Sequence, residues 1–183
     1  MGTLVLITGG ARSGKSAWAL ERANGIRSEP RTFVATAELV DEEMRDRARR
    51  HRRERGDRWR TVEEPRDLVS VIGGFTHGEV AVIDCCTVWL GNIWHGCKGD
   101  PVVLDTHVDS LASALQEWKQ TRDGITIVVS NEVGWGIVPT EPAVRRYRDA
   151  AGRLNRLVAA AADEVYLSVS GIAMKMKPAE GAA

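Results

Sequence analysis

Leu4-Val5-Leu6-Ile7-Thr8-Gly9-Gly10-Ala11-Arg12-Ser13-Gly14-Lys15-Ser16 decides how this chain is read. A short, continuously apolar run suits a strand covered on both faces. It leads directly into Gly9–Ser16, which fits G-x-x-x-x-G-K-[ST] at every position, and a helical stretch follows. Glycines let the backbone curl so that successive N–H groups point at an anion, and the start of the next helix adds its positive dipole end. On this reading Gly9, Gly10, Ala11, Arg12, Ser13, Gly14, Lys15 and Ser16 cradle the phosphates of a nucleotide. Lys15 neutralises the β- and γ-phosphates, and the Ser16 hydroxyl holds Mg²⁺. A tight turn without a ligand is the competing reading, and the strand before and helix after speak against it.

Outward from this loop, apolar runs alternate with helical stretches. Strands are expected at 4–7, 32–35, 80–83, 125–129 and 165–169, and helices at 15–26, 41–55, 65–72, 104–119 and 142–162. Such alternation argues for an α/β domain with a mostly parallel central sheet and helices on both faces. Ligands bind such sheets at the carboxyl ends of the strands, so each candidate residue is judged by whether it follows a strand. The chain shows no linker, repeat or low-complexity block, and its 183 residues suit one domain spanning 1–183.

Composition narrows the function classes. Lys plus Arg and Asp plus Glu both number 25, and a chain of zero formal charge is a poor nucleic-acid binder. No apolar run reaches the roughly 18 residues of a membrane span. No basic region precedes the first apolar run, so no signal peptide is expected, and Leu6 breaks the myristoylation pattern that Gly2 would begin. Cys85, Cys86 and Cys97 are odd in number and form no C-x-x-C, which suits reduced thiols and a cytoplasmic location.

Three further positions carry candidate chemistry. Asp84 ends the run Val82-Ile83-Asp84, where an acid holds Mg²⁺ from the side opposite the loop or else caps a helix. His51 lies in an arginine-rich helix that begins acidic and ends basic, an order that complements the helix dipole. Val40, Met44, Ala48 and His51 are spaced along one stripe, so His51 is expected on the face toward the body of the protein. A neutral imidazole there is able to attack the α-phosphorus of a nucleotide, with flanking guanidinium groups stabilising the charge. The bland alternative is a solvated helix whose His51 merely borders the core. Asn131 and Glu132 follow the fourth apolar run and should face the site, with Glu132 acting on a substrate hydroxyl, binding metal, or tying down the turn at Gly134 and Gly136.

With these residues in place, the chain resembles the bifunctional adenosylcobinamide kinase / adenosylcobinamide-phosphate guanylyltransferases over roughly Leu4 to Lys177. The resemblance rests on Thr8–Ser16, Ala35-Thr36-Ala37, Asp41-Glu42-Glu43-Met44 leading to His51, and Trp59–Pro65. It rests also on Arg148–Asn155, on Val169–Ile172, and above all on Ser130-Asn131-Glu132-Val133-Gly134-Trp135-Gly136-Ile137-Val138-Pro139. It implies a RecA-like fold, a homotrimer and two reactions. A nucleoside triphosphate, ATP or GTP, phosphorylates the aminopropanol hydroxyl of the corrinoid adenosylcobinamide. GTP then guanylylates a histidine, and the GMP passes to adenosylcobinamide phosphate. The nucleophile falls on His51. Nucleotide contacts fall on the phosphate loop, on Ala35, Thr36 and Ala37, on Arg52, Arg53, Glu54 and Arg55, and on Glu63 and Asp84. Some relatives have two adjacent histidines where this chain has Arg50-His51, a Glu at Asp84 and a Gly at Ala173. A phosphate-loop kinase with another substrate leaves His51 and the 131–139 segment unexplained. A nucleotide-dependent switch needs a partner surface that no segment nominates.

Overall fold

The computed structural model describes residues 1–38 and 42–178; the side chains of Glu43, Met44, Arg47, Arg50, His51 and Glu54 lie outside that description. The elements run β1 (Thr3–Gly9), α1 (Lys15–Asn24), β2 (Arg31–Ala35), α2 (Glu42–Arg55), β3 (Arg60–Glu63), α3 (Leu68–Gly73) and β4 (Val80–Asp84). They continue α4 (Cys86–Gly96), α5 (Pro101–Thr121), β5 (Ile125–Val129), α6 (Pro142–Ala161), β6 (Glu164–Val169) and β7 (Ile172–Lys177). The seven strands form one sheet in the order β3-β2-β4-β5-β1-β6-β7, parallel throughout except for the antiparallel β6–β7 hairpin.

Both faces of the sheet are covered, as the continuous apolar runs require. Leu4, Leu6, Ile83 and Val128 pack under α3 to α6 with Trp89, Leu111, Leu115 and Leu154. Val5, Ile7, Val82 and Ile127 point the other way, against Ala19 and Ala23 of α1 and against Phe33 and Trp59. Adjacent residues of one strand thus serve opposite cores, the period-2 geometry of a strand.

Several helix ends carry visible signals. Asp100 accepts from the N–H groups of Val102 and Val103 just ahead of Pro101, and Asp67 accepts from Ser70 N–H at the start of α3. The α5 helix therefore begins three residues before the expected Leu104, and α3 three residues after the expected Pro65. Three elements were not expected at all. The α4 helix buries Cys86, Trp89, Leu90 and Ile93, a helical stripe hidden among residues of modest helix propensity. The strands β3 and β7 are edge strands with mixed, partly exposed side chains, so neither offers a continuous apolar run. Among the described residues, no helix is long and apolar enough to cross a membrane.

Candidate active site

β1 lies between β5 and β6 and ends in the phosphate loop at the carboxyl edge of the sheet. Two of its glycines are obligatory. Gly9 has φ +148°, and a Cβ there would sit 2.2 Å from the Ser168 carbonyl oxygen; Gly14 has φ +96° and abuts Gly171 Cα. The β6–β7 hairpin braces the loop from this side, because Gly171 N–H and the Ser168 hydroxyl both donate to Ser13 O at 2.9 and 2.6 Å. No side chain caps α1, and its first-turn N–H groups, which have no intrahelical acceptor, open onto the loop.

Lys15 is 6% exposed and curls back, its Nζ donating to Gly10 O at 2.6 Å. Burial pushes the Lys15 amine below the usual lysine range, while the nearby Cys85 and Asp84 groups oppose that shift. Asp84, in register with Ala35 and Val129, thus lies within electrostatic reach of the loop lysine. Ser16 is exposed at the first turn of α1, as are Ala11 and Arg12 on the loop, whereas Ser13 is buried.

The Ala35–Ala37 turn is tied to the same edge. Thr36 is fully buried; its hydroxyl accepts from Cys85 N–H at 2.8 Å and donates to Cys85 O at 2.9 Å. Its carbonyl accepts from Asn92 Nδ2 at 2.7 Å. The Thr36 side chain is consumed by the fold, so a nucleotide contact from this turn falls to the backbone and to Ala37. Glu63 ends β3 beside Ala35, with an exposed side chain.

Helix α2 connects β2 to β3. β2 is three strands from β1, roughly 14 Å at about 4.8 Å per strand. Arg55 stacks its guanidinium 3.8 Å from the Phe33 ring and donates to the Thr61 hydroxyl at 3.2 Å, pinning the end of α2 to these strands. Arg52 and Arg53 are exposed on the same turn. His51 and Glu54 are on α2, with side chains outside those described, so the expected inward stripe of Val40, Met44 and His51 falls there too.

Asn131 and Glu132 follow β5, between the loop strand and the Asp84 strand. Glu132 N–H donates to Gly9 O at 2.9 Å, and Glu132 Oε1 accepts from the Thr8 hydroxyl and from Asn155 Nδ2, each at 2.9 Å. Glu132 is therefore tied to the phosphate-loop strand rather than to the Gly134–Gly136 turn. Asn131 Nδ2 donates to the Thr87 hydroxyl at 2.8 Å. Neither Thr8, Asn155 nor Ser168 was singled out from sequence. Asn155 had a visible signal: it is the polar member of the apolar stripe Ala151, Leu154, Asn155 and Val158.

The remaining histidines take local partners. His77 Nδ1 lies 2.6 Å from Asp123 Oδ1 in the turn at Gly78, and His107 Nδ1 lies 2.8 Å from Val103 O. His95 is in the last turn of α4 and His107 in α5, so the two flank the short connection between these helices. Trp59 is buried, its Nε1–H donating to Asn24 Oδ1, and so serves the core rather than the nucleotide.

Comparison with known proteins matches this geometry. The family model for cobinamide kinase / cobinamide phosphate guanyltransferase covers residues 5–176. The bifunctional adenosylcobalamin biosynthesis protein CobU of Escherichia coli is 38% identical, the alignment covering 95% of this chain and 99% of that protein. The corresponding CobP of Pseudomonas aeruginosa is 39% identical, covering 94% and 96%. In fold alone, the chain is similar to the RadB recombinase, with TM-score 0.54, 15% identity, and 91% and 74% of the two chains covered. It is similar also to the KaiC-like protein PH0186 of Pyrococcus horikoshii, with TM-score 0.50, 18% identity, and 91% and 70% covered. The fold is thus that of the phosphate-loop NTPases related to RecA, and the chain belongs to the cobinamide kinase / cobinamide phosphate guanyltransferase family, enzymes that carry both activities.

Proposed function

We propose that the chain phosphorylates the aminopropanol hydroxyl of adenosylcobinamide at the Gly9–Ser16 loop and then carries GMP on His51 to the phosphate so formed. The observation that supports the first half is the convergence of buried Lys15, Asp84 and Glu132 on one edge of the sheet. In the kinase step the substrate hydroxyl attacks the γ-phosphorus of ATP or GTP, and the bond to the β-phosphate oxygen breaks. Positioning and charge neutralisation suffice for that step. Lys15 supplies a cation inside the loop, Arg12 a second at its rim, and Glu132, bonded to the loop strand, takes the hydroxyl proton.

Ser16 and Asp84 would hold Mg²⁺. One hydroxyl and one carboxylate would suit Mg²⁺, a hard cation that is bound through few protein oxygens together with substrate phosphates, and no group of three or more His, Cys, Asp or Glu that could hold a metal stands among the described residues. When bound, the ion neutralises phosphate charge.

In the second reaction an imidazole nitrogen of His51 attacks the α-phosphorus of GTP, forming an N–P bond as pyrophosphate leaves. An oxygen of cobinamide phosphate then displaces the imidazole, giving a diphosphate bond to GMP. Arg52 and Arg53 offer charge on the same helical turn, and the resemblance assigns further nucleotide contacts to Glu54, Arg55, Glu63 and the Ala35–Ala37 turn. The free thiols of Cys85, Cys86 and Cys97 fit a cytoplasmic setting, and the family resemblance points to a homotrimer.

The test is labelling with GTP carrying a marked α-phosphate, followed by denaturation. Label that stays on the chain, survives alkali, is lost in acid and is absent from His51→Ala identifies the guanylyl-histidine. No label on a folded, GTP-binding wild type would overturn that half of the reading and leave a kinase.

A further inference from the structure

Between α4, α6 and the segment after β5 lies a pocket of about 430 Å³ whose walls include Thr87, Gly91, Trp94, Asn131, Val144 and Tyr147. We propose that this pocket, with the apolar shelf formed by the segment that follows its wall residue Val133, seats the corrin ring of the acceptor, so that the acceptor's arm runs past Asn131 into the loop. The proposal rests on the reading that cobinamide is the phosphoryl acceptor.

Its first support is continuity with the site. Two wall residues are also site neighbours. Thr87 lies three residues after Asp84, its hydroxyl 3.3 Å from Cys85 Sγ, and Asn131 directly precedes Glu132. A molecule in the pocket therefore has a short path to the groups around the γ-phosphate.

The second support is exclusion. An acceptor whose hydroxyl must reach the loop has to keep its bulk outside it. The β6 side is closed, because the β6–β7 hairpin donates two hydrogen bonds to Ser13 O and lies against Gly14. On the β5–β4 side the pocket walls Thr87 and Asn131 follow the ends of β4 and β5.

The third support is the shelf. Trp135 is 69% exposed, Ile137 96% and Val138 65%. These side chains stay outside although the loop that carries them is clamped by its carbonyls. Arg148 donates to Gly134 O and Ile137 O, and Arg145 to Pro139 O and Thr140 O. An apolar surface held in place, on the segment whose Val133 lines the cavity, fits a preformed binding site more than a loose loop. The cavity is small for a whole macrocycle. It suits one edge of the ring and an amide arm, with the ring's flat face against Trp135 and Ile137. Trp94 and Tyr147, in edge contact at 6.4 Å between ring centroids, give the pocket a rigid aromatic wall.

The experiment titrates cobinamide into the full chain with a non-hydrolysable GTP analogue present and reads equilibrium binding, without turnover. Gly91→Leu fills the cavity at little cost to the fold, because a Cβ at Gly91 meets only Tyr147 Oη, at 4.0 Å. Val144→Glu, at a half-exposed wall position, is the second variant. The expected result is at least tenfold weaker cobinamide binding in both, with the affinity for the GTP analogue within twofold of wild type. Wild-type affinity for cobinamide in both variants would overturn the assignment of this pocket. Loss of cobinamide binding together with a change in association state would overturn it too, showing that a second copy covers this face. A wild type that binds the GTP analogue but no cobinamide would instead overturn the acceptor reading itself.

Discussion

The Thr8 hydroxyl, on the strand that becomes the phosphate loop, donates to Glu132 Oε1 at 2.9 Å. Asn155 Nδ2 donates to the same oxygen, so one carboxylate oxygen is fixed by two donors. Glu132→Gln keeps an acceptor oxygen for these donors and removes the carboxylate's basicity. If Glu132 takes the proton of the substrate hydroxyl, the kinase rate should fall by about 10²–10⁴, with guanylyl labelling of His51 intact. The two half-reactions measured side by side decide it. Equal loss of both would make Glu132 a structural tie.

Burial lowers the Lys15 amine pKa, and the nearby Cys85 and Asp84 groups only partly offset this. Without nucleotide, Lys15 should begin to lose its proton below the pH at which a free lysine does. A bound triphosphate favours the charged amine and raises its pKa again. Nucleotide affinity should therefore be flat near neutrality and weaken as pH rises through the lowered pKa, with proton uptake on binding in that window. Calorimetry in buffers of different ionisation enthalpy measures this. An affinity that stays flat up to the ordinary lysine range would mean that Lys15 keeps its charge without help from phosphate.

How much of this was legible in the sequence follows from the physics of each element. The loop was readable because a phosphate cradle forces glycine and lysine into fixed positions. The strands β1, β2, β4, β5 and β6 were readable because burial on both faces demands continuous apolar runs. The edge strands β3 and β7 answer to no such demand: Arg60, Glu63 and Lys175 are tolerated where one side of the strand meets solvent. The α4 helix lacks the polar face that makes a helical period visible, since Trp89, Leu90 and Ile93 are buried while Val88 and Trp94 are also apolar. Ser168 was invisible for a different reason. Its hydroxyl acts on Ser13, 155 positions away in the chain, and only the pairing of β6 with β1 brings the two together.

Gly9 and Gly10 are adjacent but should respond in opposite ways. A Cβ at Gly9 would meet the Ser168 carbonyl oxygen at 2.2 Å, in a backbone conformation that L side chains rarely adopt. Gly9→Ala should cost about 2–3 kcal/mol, which in a chain of this size lowers Tm by roughly 4–12 °C. A Cβ at Gly10 meets nothing within 4 Å. Gly10→Ala should leave Tm nearly unchanged and weaken nucleotide binding, because it narrows the backbone's approach to phosphate. Thermal melts with and without GTP separate the two. Equal Tm losses would show that the Gly10 backbone is itself strained.

Asn155 gives the sharpest test of the link between the core and the site. Its side chain is buried on α6 and spans three groups of the 130–132 segment. Ser130 Oγ donates to its Oδ1 at 2.6 Å, and its Nδ2 donates to Asn131 O at 3.0 Å and to Glu132 Oε1 at 2.9 Å. Asn155→Ala leaves the Ser130 hydroxyl and the Asn131 carbonyl without this partner, and each unsatisfied buried polar group costs about 1–3 kcal/mol. Asn155→Leu matches the apolar stripe better, yet leaves the same groups unsatisfied. Both variants should melt earlier than wild type, and both should lower kcat of the kinase step more than they raise KM for nucleotide, because Glu132 loses one of its two tethers while Lys15 and the loop are untouched. If Asn155→Leu instead proves as stable as wild type, the 130–132 segment draws its position from β5 and from its bonds to Thr8, Gly9 and Thr87, and Asn155 is dispensable to the fold.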